Sequence, residues 1–360
     1  MAKHLTGQAH EMLCHPTIPL MNNGSFSILL FFLSLALLSC RQEEANPMEE
    51  THYELDVPAG FPYPDIPEDN ELTAARVALG KRLFYDPILS EDSTISCASC
   101  HKQALAFADD VPISPGVKGR LGFRNAPTMA NVAYVERFNK DGGVVKLDLQ
   151  PVVPIEDHNE MNLPLQDAVA RLKDHPDYPE AFLKAYGKEA SPFTLTRALA
   201  SFMRTLISGS SRYDLYAGGK TSAVSEAERR GLTLFTGRAG CANCHAGFNF
   251  TDDNFRNNGL YEIYEDPGRN RITLRPEDEG KFRVPTLRNI ALTAPYMHDG
   301  SLPTLESVIE HYNGGGTAHP NKDTLIRPLQ LSEEEKASLA AFLRTLTDST
   351  FINNPLFGKE

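Results

Sequence analysis

The chain has 360 residues, with 47 Asp and Glu against 35 Lys and Arg, so its formal net charge is −12. This length is enough for two domains of ordinary size. The acidic balance argues against nucleic acid as a partner, because a phosphate backbone attracts basic surfaces, and it suits an acidic face that meets a basic protein partner.

The first 40 residues are typical of an export signal. The apolar run at residues 26–38 is too short to cross a bilayer stably, and it ends in Leu37-Leu38-Ser39-Cys40. A Cys directly after such a run resembles a bacterial lipobox, in which that Cys becomes the lipidated first residue of the mature protein. The alternative is an ordinary signal peptide with an incidental Cys, and translation from Met21 is also open. We therefore expect a periplasmic or cell-envelope protein, lipid-anchored to the membrane through Cys40.

A polar, proline-rich tether follows at residues 41–71. Its prolines predict a linker with some extended structure. They are Pro58, Pro62, Pro64 and Pro67.

The most specific pattern in the chain is the pentapeptide Cys-x-x-Cys-His. It attaches a c-type haem, because the two thiols bond the haem vinyl groups and the His is the proximal iron ligand. The alternatives are a zinc site or a redox Cys-x-x-Cys pair, but zinc needs no His fused to each Cys pair. The other cysteines, Cys14 and Cys40, precede the globular part. We therefore expect two covalently bound c haems, at Cys97-Ala98-Ser99-Cys100-His101 and Cys241-Ala242-Asn243-Cys244-His245.

The segments around the two motifs repeat in a fixed order, which predicts two cytochrome c domains in tandem, at residues 72–215 and 225–348. A Gly- and Ser-rich segment, 214–224, is the expected linker between them. The repeated segments are residues 80–84 and 231–235 before the motifs, 107–109 and 250–252 after them, and 202–206 and 342–346 at the end of each half.

The fold class follows from the pattern of helix starts and breakers. Ser225 with Glu228, and Ser332 with Glu335, have the spacing of capping boxes. Gly and Pro are dense between the helical segments. We expect a mainly α protein with short helices, long loops and almost no sheet.

The span from residue 71 to 348 resembles the bacterial dihaem cytochrome c peroxidase / MauG family. The matching blocks are residues 124–128, 284–289 and 296–300, together with the two haem motifs. The resemblance implies a peroxidatic N-terminal haem, an electron-transfer C-terminal haem and a calcium ion between the domains. It also implies hydrogen peroxide as substrate and a small cytochrome c or cupredoxin as electron donor. A homodimer is compatible with the sequence.

The resemblance also implies the residues of the peroxide pocket. Gln150, Pro154 and Glu160 occur in the family's order and spacing. Glu160 is expected to be the catalytic base that moves a proton between the peroxide oxygens, and Gln150 to orient the peroxide. The alternative for Glu160 is a solvated loop carboxylate.

The calcium ligands implied by the resemblance are the side chain of Asn125 and the backbone carbonyls of Thr293 and Pro295. Waters would complete the shell of this oxygen-seeking ion. The alternative is that Asn125 only caps a turn before Pro127.

The chain departs from the family in the loop after the first motif. Many members have a His there that blocks the iron until the other haem is reduced, whereas this chain has Val117. Because Val cannot bind iron, we expect the peroxidatic site to be permanently open. His158 is the alternative ligand.

A second departure concerns the sixth ligand of the C-terminal haem. The usual peroxidases have Met at this position, whereas this chain has Tyr312, as MauG does. A phenolate ligand lowers the reduction potential, while a thioether raises it. Met297 is the rival ligand, with His298 and His311 as further alternatives.

The third departure is the absence of Trp. The family places a Trp-Asp-Gly segment between the haems, and here it is Lys140-Asp141-Gly142.

The leading hypothesis is a dihaem peroxidase. The alternatives are a MauG-like oxidase of a protein side chain, which Lys140 disfavours, and a non-enzymatic electron carrier, which Glu160 disfavours.

Overall fold

The computed structural model describes residues 51–359. The predicted signal, the lipobox at Cys40 and the first ten residues of the predicted tether lie outside the described residues. No helix within 51–359 combines the length and the apolar character needed to cross a membrane.

The described chain is mainly helical with very little sheet, as predicted. Two short strands, β1 (Phe255–Arg256) and β2 (Phe282–Arg283), pair antiparallel. Before residue 211 the helices are α1 (Ala74–Tyr85), α2 (Cys97–Cys100), α3 (Val152–Glu156), α4 (Leu165–Asp174), α5 (Tyr178–Tyr186) and α6 (Pro192–Arg204). After it they are α7 (Arg212–Ala217), α8 (Glu226–Thr236), α9 (Asn270–Thr273), α10 (Leu305–Gly314), α11 (Glu333–Arg344) and α12 (Ser349–Ile352).

The two predicted capping boxes are confirmed. At the start of α8, Ser225 Oγ accepts from the backbone N–H of Glu228, and the Glu228 carboxylate accepts from the Ser225 N–H. Ser332 and Glu335 repeat this exchange at the start of α11. Both helices therefore begin where their local sequence satisfies the first free N–H groups.

The sequence repeat corresponds to two equivalent helix crossings. Helix α1 crosses α6, and α8 crosses α11, each at a glycine. A Cβ at Gly80 would lie 1.9 Å from the Ala198 carbonyl oxygen, and one at Gly231 would lie 2.0 Å from that of Ser338. Only residues without a side chain permit this approach of two backbones.

An aromatic pair lies beside each crossing. The rings of Phe84 and Phe202 are 5.2 Å apart at 59°, and those of Phe235 and Phe342 are 5.1 Å apart at 58°. Each pair belongs to its own apolar core. The first core includes Leu83, Phe107, Ile155, Leu172, Phe182 and Leu199, and the second includes Phe250, Leu305, Ile309, Leu339 and Leu346.

The predicted tether and linker contain packed residues. Tyr53 donates its N–H to the Leu72 carbonyl at 3.0 Å, and the Phe61 ring lies 4.6 Å from that of Phe248. Helix α7 covers the first part of the predicted linker, and Asp214 in it forms an ion pair with Arg288 at 2.9 Å. The domain boundaries themselves stay predictions.

We expect Gly231→Ala to destabilise the protein. Its new methyl group must push α8 and α11 apart, and overpacking of this kind costs about 1–3 kcal/mol of unfolding free energy. Gly314→Ala is the matched control, because a Cβ at Gly314 meets no atom within 4 Å. Thermal unfolding of the haem-loaded variants measures both effects. Equal melting temperatures for the two variants would contradict the close helix crossing.

Candidate functional site

The first Cys-x-x-Cys-His motif forms helix α2, and His101 follows its end. The His101 N–H donates to the Cys97 carbonyl at 3.0 Å, which closes the helical turn. The His101 Nδ1 lies 2.8 Å from the Phe107 carbonyl oxygen. Because a carbonyl can only accept, Nδ1 carries the proton and Nε2 keeps the lone pair that an iron ligand needs. Burial lowers the pKa of His101, which favours this neutral form.

The second motif has the same arrangement. Residues Cys241–Asn243 form a 3₁₀ turn, and the His245 Nδ1 lies 3.1 Å from the Phe250 carbonyl oxygen. Burial also lowers the pKa of His245. Phe107 and Phe250 were found in the sequence only as parts of the repeat. In the structure, the backbone carbonyl of each Phe accepts a hydrogen bond from a histidine ring and so orients it.

One cavity of about 540 Å³ brings together the residues predicted for the first site. The motif residues Cys97, Cys100 and His101 form part of its wall. The other predicted residues that line it are Gln150, Pro154 and Glu160 from the peroxide pocket, and Asn125, Thr293 and Pro295 from the calcium site.

The cavity walls fit a haem. Apolar side chains, among them Phe84, Leu199 and Met203, line it as a porphyrin ring requires. Arg283 also lines the cavity, and its Nε is buried without a hydrogen-bond partner in the described part of the chain. A buried unpaired guanidinium N–H suits a carboxylate such as a haem propionate.

Glu160 follows helix α3 in a loop that is held by backbone hydrogen bonds. Its N–H donates to the Asp157 carbonyl at 3.0 Å, and its carbonyl accepts from the Val117 N–H at 2.8 Å. Glu160 is an exposed residue, and it lines the cavity. Desolvation there, and then the charge of Asp157, raise the pKa of Glu160 to about 7. A carboxyl group with this pKa can both accept and return a proton near neutral pH.

Val117, at the position of the blocking His, and His158, the alternative ligand, both lie outside the cavity wall. The Val117 side chain is fully buried and is not among the residues that line the cavity. His158 is exposed, and its ring lies 3.1 Å from Arg120 Nη1. In this arrangement neither side chain forms part of the cavity that the first motif lines.

The side-chain nitrogen of Asn125 is occupied by two hydrogen bonds. It donates to the carbonyls of Val111 and Pro112, each at 3.2 Å. Since these two bonds use the amide hydrogens, the side-chain oxygen is left as the atom available to a cation. The backbone N–H of Asn125 donates to the His298 carbonyl at 2.8 Å and ties the site to the second half.

The predicted ligand of the second iron, Tyr312, lies near its rival. The amide nitrogen of Asn258 is 3.3 Å from the Tyr312 hydroxyl and 3.3 Å from the Met297 sulfur. Burial raises the pKa of Tyr312, and the Cys241 and Cys244 thiols are close enough to influence it. The structure therefore brings Tyr312 towards the second haem motif.

The other two candidate ligands are engaged elsewhere. His311 Nε2 lies 3.1 Å from the Asn258 carbonyl oxygen. The His298 ring stacks on Phe282 at 4.0 Å. Asn258 was not predicted as a site residue, and no sequence pattern pointed to it.

Lys140, the residue found at the expected Trp position, contacts two residues of the second half of the chain. Its Nζ donates to the Met297 carbonyl at 3.2 Å, and its own carbonyl accepts from the Arg283 N–H at 2.8 Å. Burial, and then the neighbouring Arg124 and Arg283, lower the pKa of Lys140 to about 7. The bidentate pair of Arg124 with Asp266, at 2.6 and 2.9 Å, joins the halves beside it.

Comparison with known proteins supports the resemblance. The family described as di-haem cytochrome c peroxidase matches residues 74–222. The methylamine utilization protein MauG of Methylorubrum extorquens is 40% identical over 290 residues, covering 78% of this chain and 80% of that protein. The chain belongs to the di-haem cytochrome c peroxidase family.

Further relatives agree with this assignment. The cytochrome c551 peroxidase of Nitrosomonas europaea is 35% identical over 274 residues, which cover 75% of this chain and 79% of that protein. A solved structure described as a MauG-like protein associated with microbial copper homeostasis is 37% identical. It has a TM-score of 0.80 and covers 85% of this chain and 99% of that one.

The family assignment confirms the predicted enzyme class, an oxidoreductase of the cytochrome c peroxidase type that acts on peroxide. A di-haem family implies two c-type haems, one for each motif.

Proposed function

We propose that this protein works in the periplasm as a dihaem peroxidase whose first site needs no reductive activation. It reduces hydrogen peroxide to two water molecules with two electrons and two protons, and a small cytochrome c or cupredoxin supplies the electrons. The observation that carries the proposal is the shared cavity. The first haem motif and the carboxyl group of Glu160, whose pKa is raised to about 7, line the same space. A simple electron carrier needs no acid–base group there.

The first motif would hold its haem through the thiols of Cys97 and Cys100 and through His101 Nε2. A bound haem supplies the iron at which the peroxide O–O bond is reduced. The Glu160 carboxylate accepts a proton from one peroxide oxygen and returns it to the other, so that water can leave. The Gln150 amide orients the peroxide by hydrogen bonding.

The second motif would hold the electron-transfer haem through Cys241, Cys244 and His245, and Tyr312 would supply a further iron ligand. An anionic oxygen ligand favours oxidised iron. The Asn125 side chain and the carbonyls of Thr293 and Pro295 would hold a calcium ion, which takes oxygen ligands.

The second candidate is oxidation of a protein side chain, as in the MauG branch. Val117 and Tyr312 favour it, because they match the open site and the ligand of that branch. Lys140 disfavours it, because an aliphatic amine side chain cannot relay an electron hole as an indole can. Peroxide reduction therefore remains the better supported function.

Export and lipidation at Cys40 complete the proposal, since haem attachment of the c type takes place outside the bacterial cytoplasm. Release of Cys40→Ser from the membrane fraction would support the anchor. Unchanged fractionation would contradict it.

Steady-state kinetics with a generic reduced cytochrome c test the function. We expect peroxide-dependent oxidation of the cytochrome by a chain that carries two haems resistant to acid-acetone extraction. Mass spectrometry of the mature chain gives the haem count. A chain with two haems that oxidises no cytochrome would contradict the peroxidase function, and fewer than two haems would contradict the attachment sites.

A further inference from the structure

One side-chain amide touches both candidate ligands of the second iron. Asn258 Nδ2 lies 3.3 Å from the Tyr312 hydroxyl oxygen and 3.3 Å from the Met297 sulfur. An amide nitrogen carries two hydrogens, so it can donate one to each. The three residues come from separate parts of the chain, since Asn258 follows β1, Met297 lies in a loop and Tyr312 lies on α10.

The amide orientation is fixed by its own neighbours. The Asn258 side-chain oxygen accepts from the Leu260 N–H at 3.2 Å, and the Asn258 backbone carbonyl oxygen lies 3.1 Å from His311 Nε2. Because the side-chain oxygen is bonded to a donor, the nitrogen must face Tyr312 and Met297. Asn258 is therefore a rigid donor rather than a side chain that could turn its oxygen towards the ligands.

Met297 is also held at its backbone. Lys140 Nζ donates to the Met297 carbonyl at 3.2 Å, and the neighbouring residue Tyr296 pairs with Leu302 through an N–H···O bond of 2.7 Å. The Met297 backbone has φ of +78°, a left-handed conformation that is unfavourable for a residue with a side chain. These contacts fix the backbone position of Met297.

We infer that Asn258 is a positioning residue that selects Tyr312 over Met297 as the ligand of the second iron. This inference rests on the proposed function, in which Tyr312 is a ligand of the second iron. A tyrosine oxygen bound to ferric iron carries negative charge, whereas a thioether sulfur is neutral and a weak acceptor. A hydrogen bond to a charged acceptor is about twice as strong as one to a neutral acceptor. The shared amide therefore stabilises Tyr312 ligation more than Met297 ligation.

Asn258→Asp tests the inference with little change in shape. The Asp side chain keeps an oxygen for the Leu260 N–H but removes both hydrogens that face the ligands. We expect the ratio of Tyr to Met ligation to fall by about ten- to a hundredfold. This factor corresponds to the free-energy contribution of a hydrogen bond to a charged group. The readouts are the optical and magnetic spectra of the second haem and its reduction potential, which should rise as Met replaces Tyr.

Three further variants make the result decisive. Asn258→Leu should repeat the effect of Asn258→Asp without an added charge. The double variant Asn258→Leu/Met297→Leu should lose the Met spectrum, because no sulfur remains. Asn270→Leu is the matched control, since it removes an amide that donates to the Arg275 carbonyl at 2.7 Å, away from both ligands. Haem content and melting temperature report whether each variant folds.

The outcomes separate this inference from the peroxidase function. A wild-type spectrum and potential in both Asn258 variants would overturn the inference. A changed spectrum that persists unaltered in the double variant would also overturn it, since Met297 would not be the new ligand. If Tyr312→Phe leaves the second haem unchanged, Tyr312 is not the ligand and the inference fails. Peroxide turnover by the wild-type enzyme would still support the proposed function in each case.

Discussion

Glu160→Gln should lower peroxide turnover by roughly two to four orders of magnitude, the usual weight of a positioned acid–base group. Gln is nearly isosteric with Glu, and the backbone bonds that hold this loop do not involve the side chain. Both haems and the fold should therefore be retained. Steady-state turnover at matched haem content measures the effect, and near-wild-type turnover would remove Glu160 from the mechanism.

The pH dependence gives the same prediction a second test. The pKa of Glu160 is raised to about 7, so its carboxylate form is present mainly above pH 7 and is lost as the pH falls. Peroxide turnover by the wild type should fall as the pH drops below 7. The residual turnover of the Gln variant should not show this fall.

Asp157→Asn is the matched control for the pH experiment. Asp157 lines the same cavity, and its charge contributes to the raised pKa of Glu160. Removing that charge should shift the fall in turnover to lower pH, while most of the turnover at higher pH remains. If the pH of this fall does not shift, a group other than Glu160 causes it.

Val117→His should make the first site dependent on reduction. The Val117 side chain is fully buried, and an imidazole there would lack the hydrogen-bond partners that a buried polar group requires. The cost of this burial favours a loop conformation in which the ring leaves the core and binds iron instead. We expect the ferric variant to react with peroxide slowly or not at all until an electron is supplied.

Val117→Leu controls for the change in size, because Leu is larger than Val but offers no ligand atom. It should react with peroxide in the ferric state as the wild type does. If Val117→His also reacts at the wild-type rate, the loop at residues 114–119 cannot deliver a ligand and the family comparison at this position is misleading.

Local features of this protein were predictable from the sequence, because they depend on short spacings. The capping box at Ser225 involves a residue three positions away, and each haem motif spans five residues. The glycine in each repeated segment indicated equivalent helices, although the crossing partner of Gly231 became visible only in the structure. The mainly helical fold followed from these signals.

The contacts between distant segments were not predictable. Lys140 and Met297 are 157 positions apart, and Asn258 reaches Tyr312 across 54 positions. No periodicity or motif links such residues, since the fold alone brings them together. Asn258 is a common polar residue in a loop, so nothing in the sequence distinguished it from the other asparagines.

The most direct test of the open first site is to mix the as-isolated, fully ferric enzyme with peroxide in the absence of any reductant. The account predicts an immediate spectral change at the first haem, and cyanide should bind there equally without priming. Two low-spin haems that ignore peroxide until the protein is half-reduced would contradict it. Some other residue would then bind the first iron, with His158 the first to be replaced.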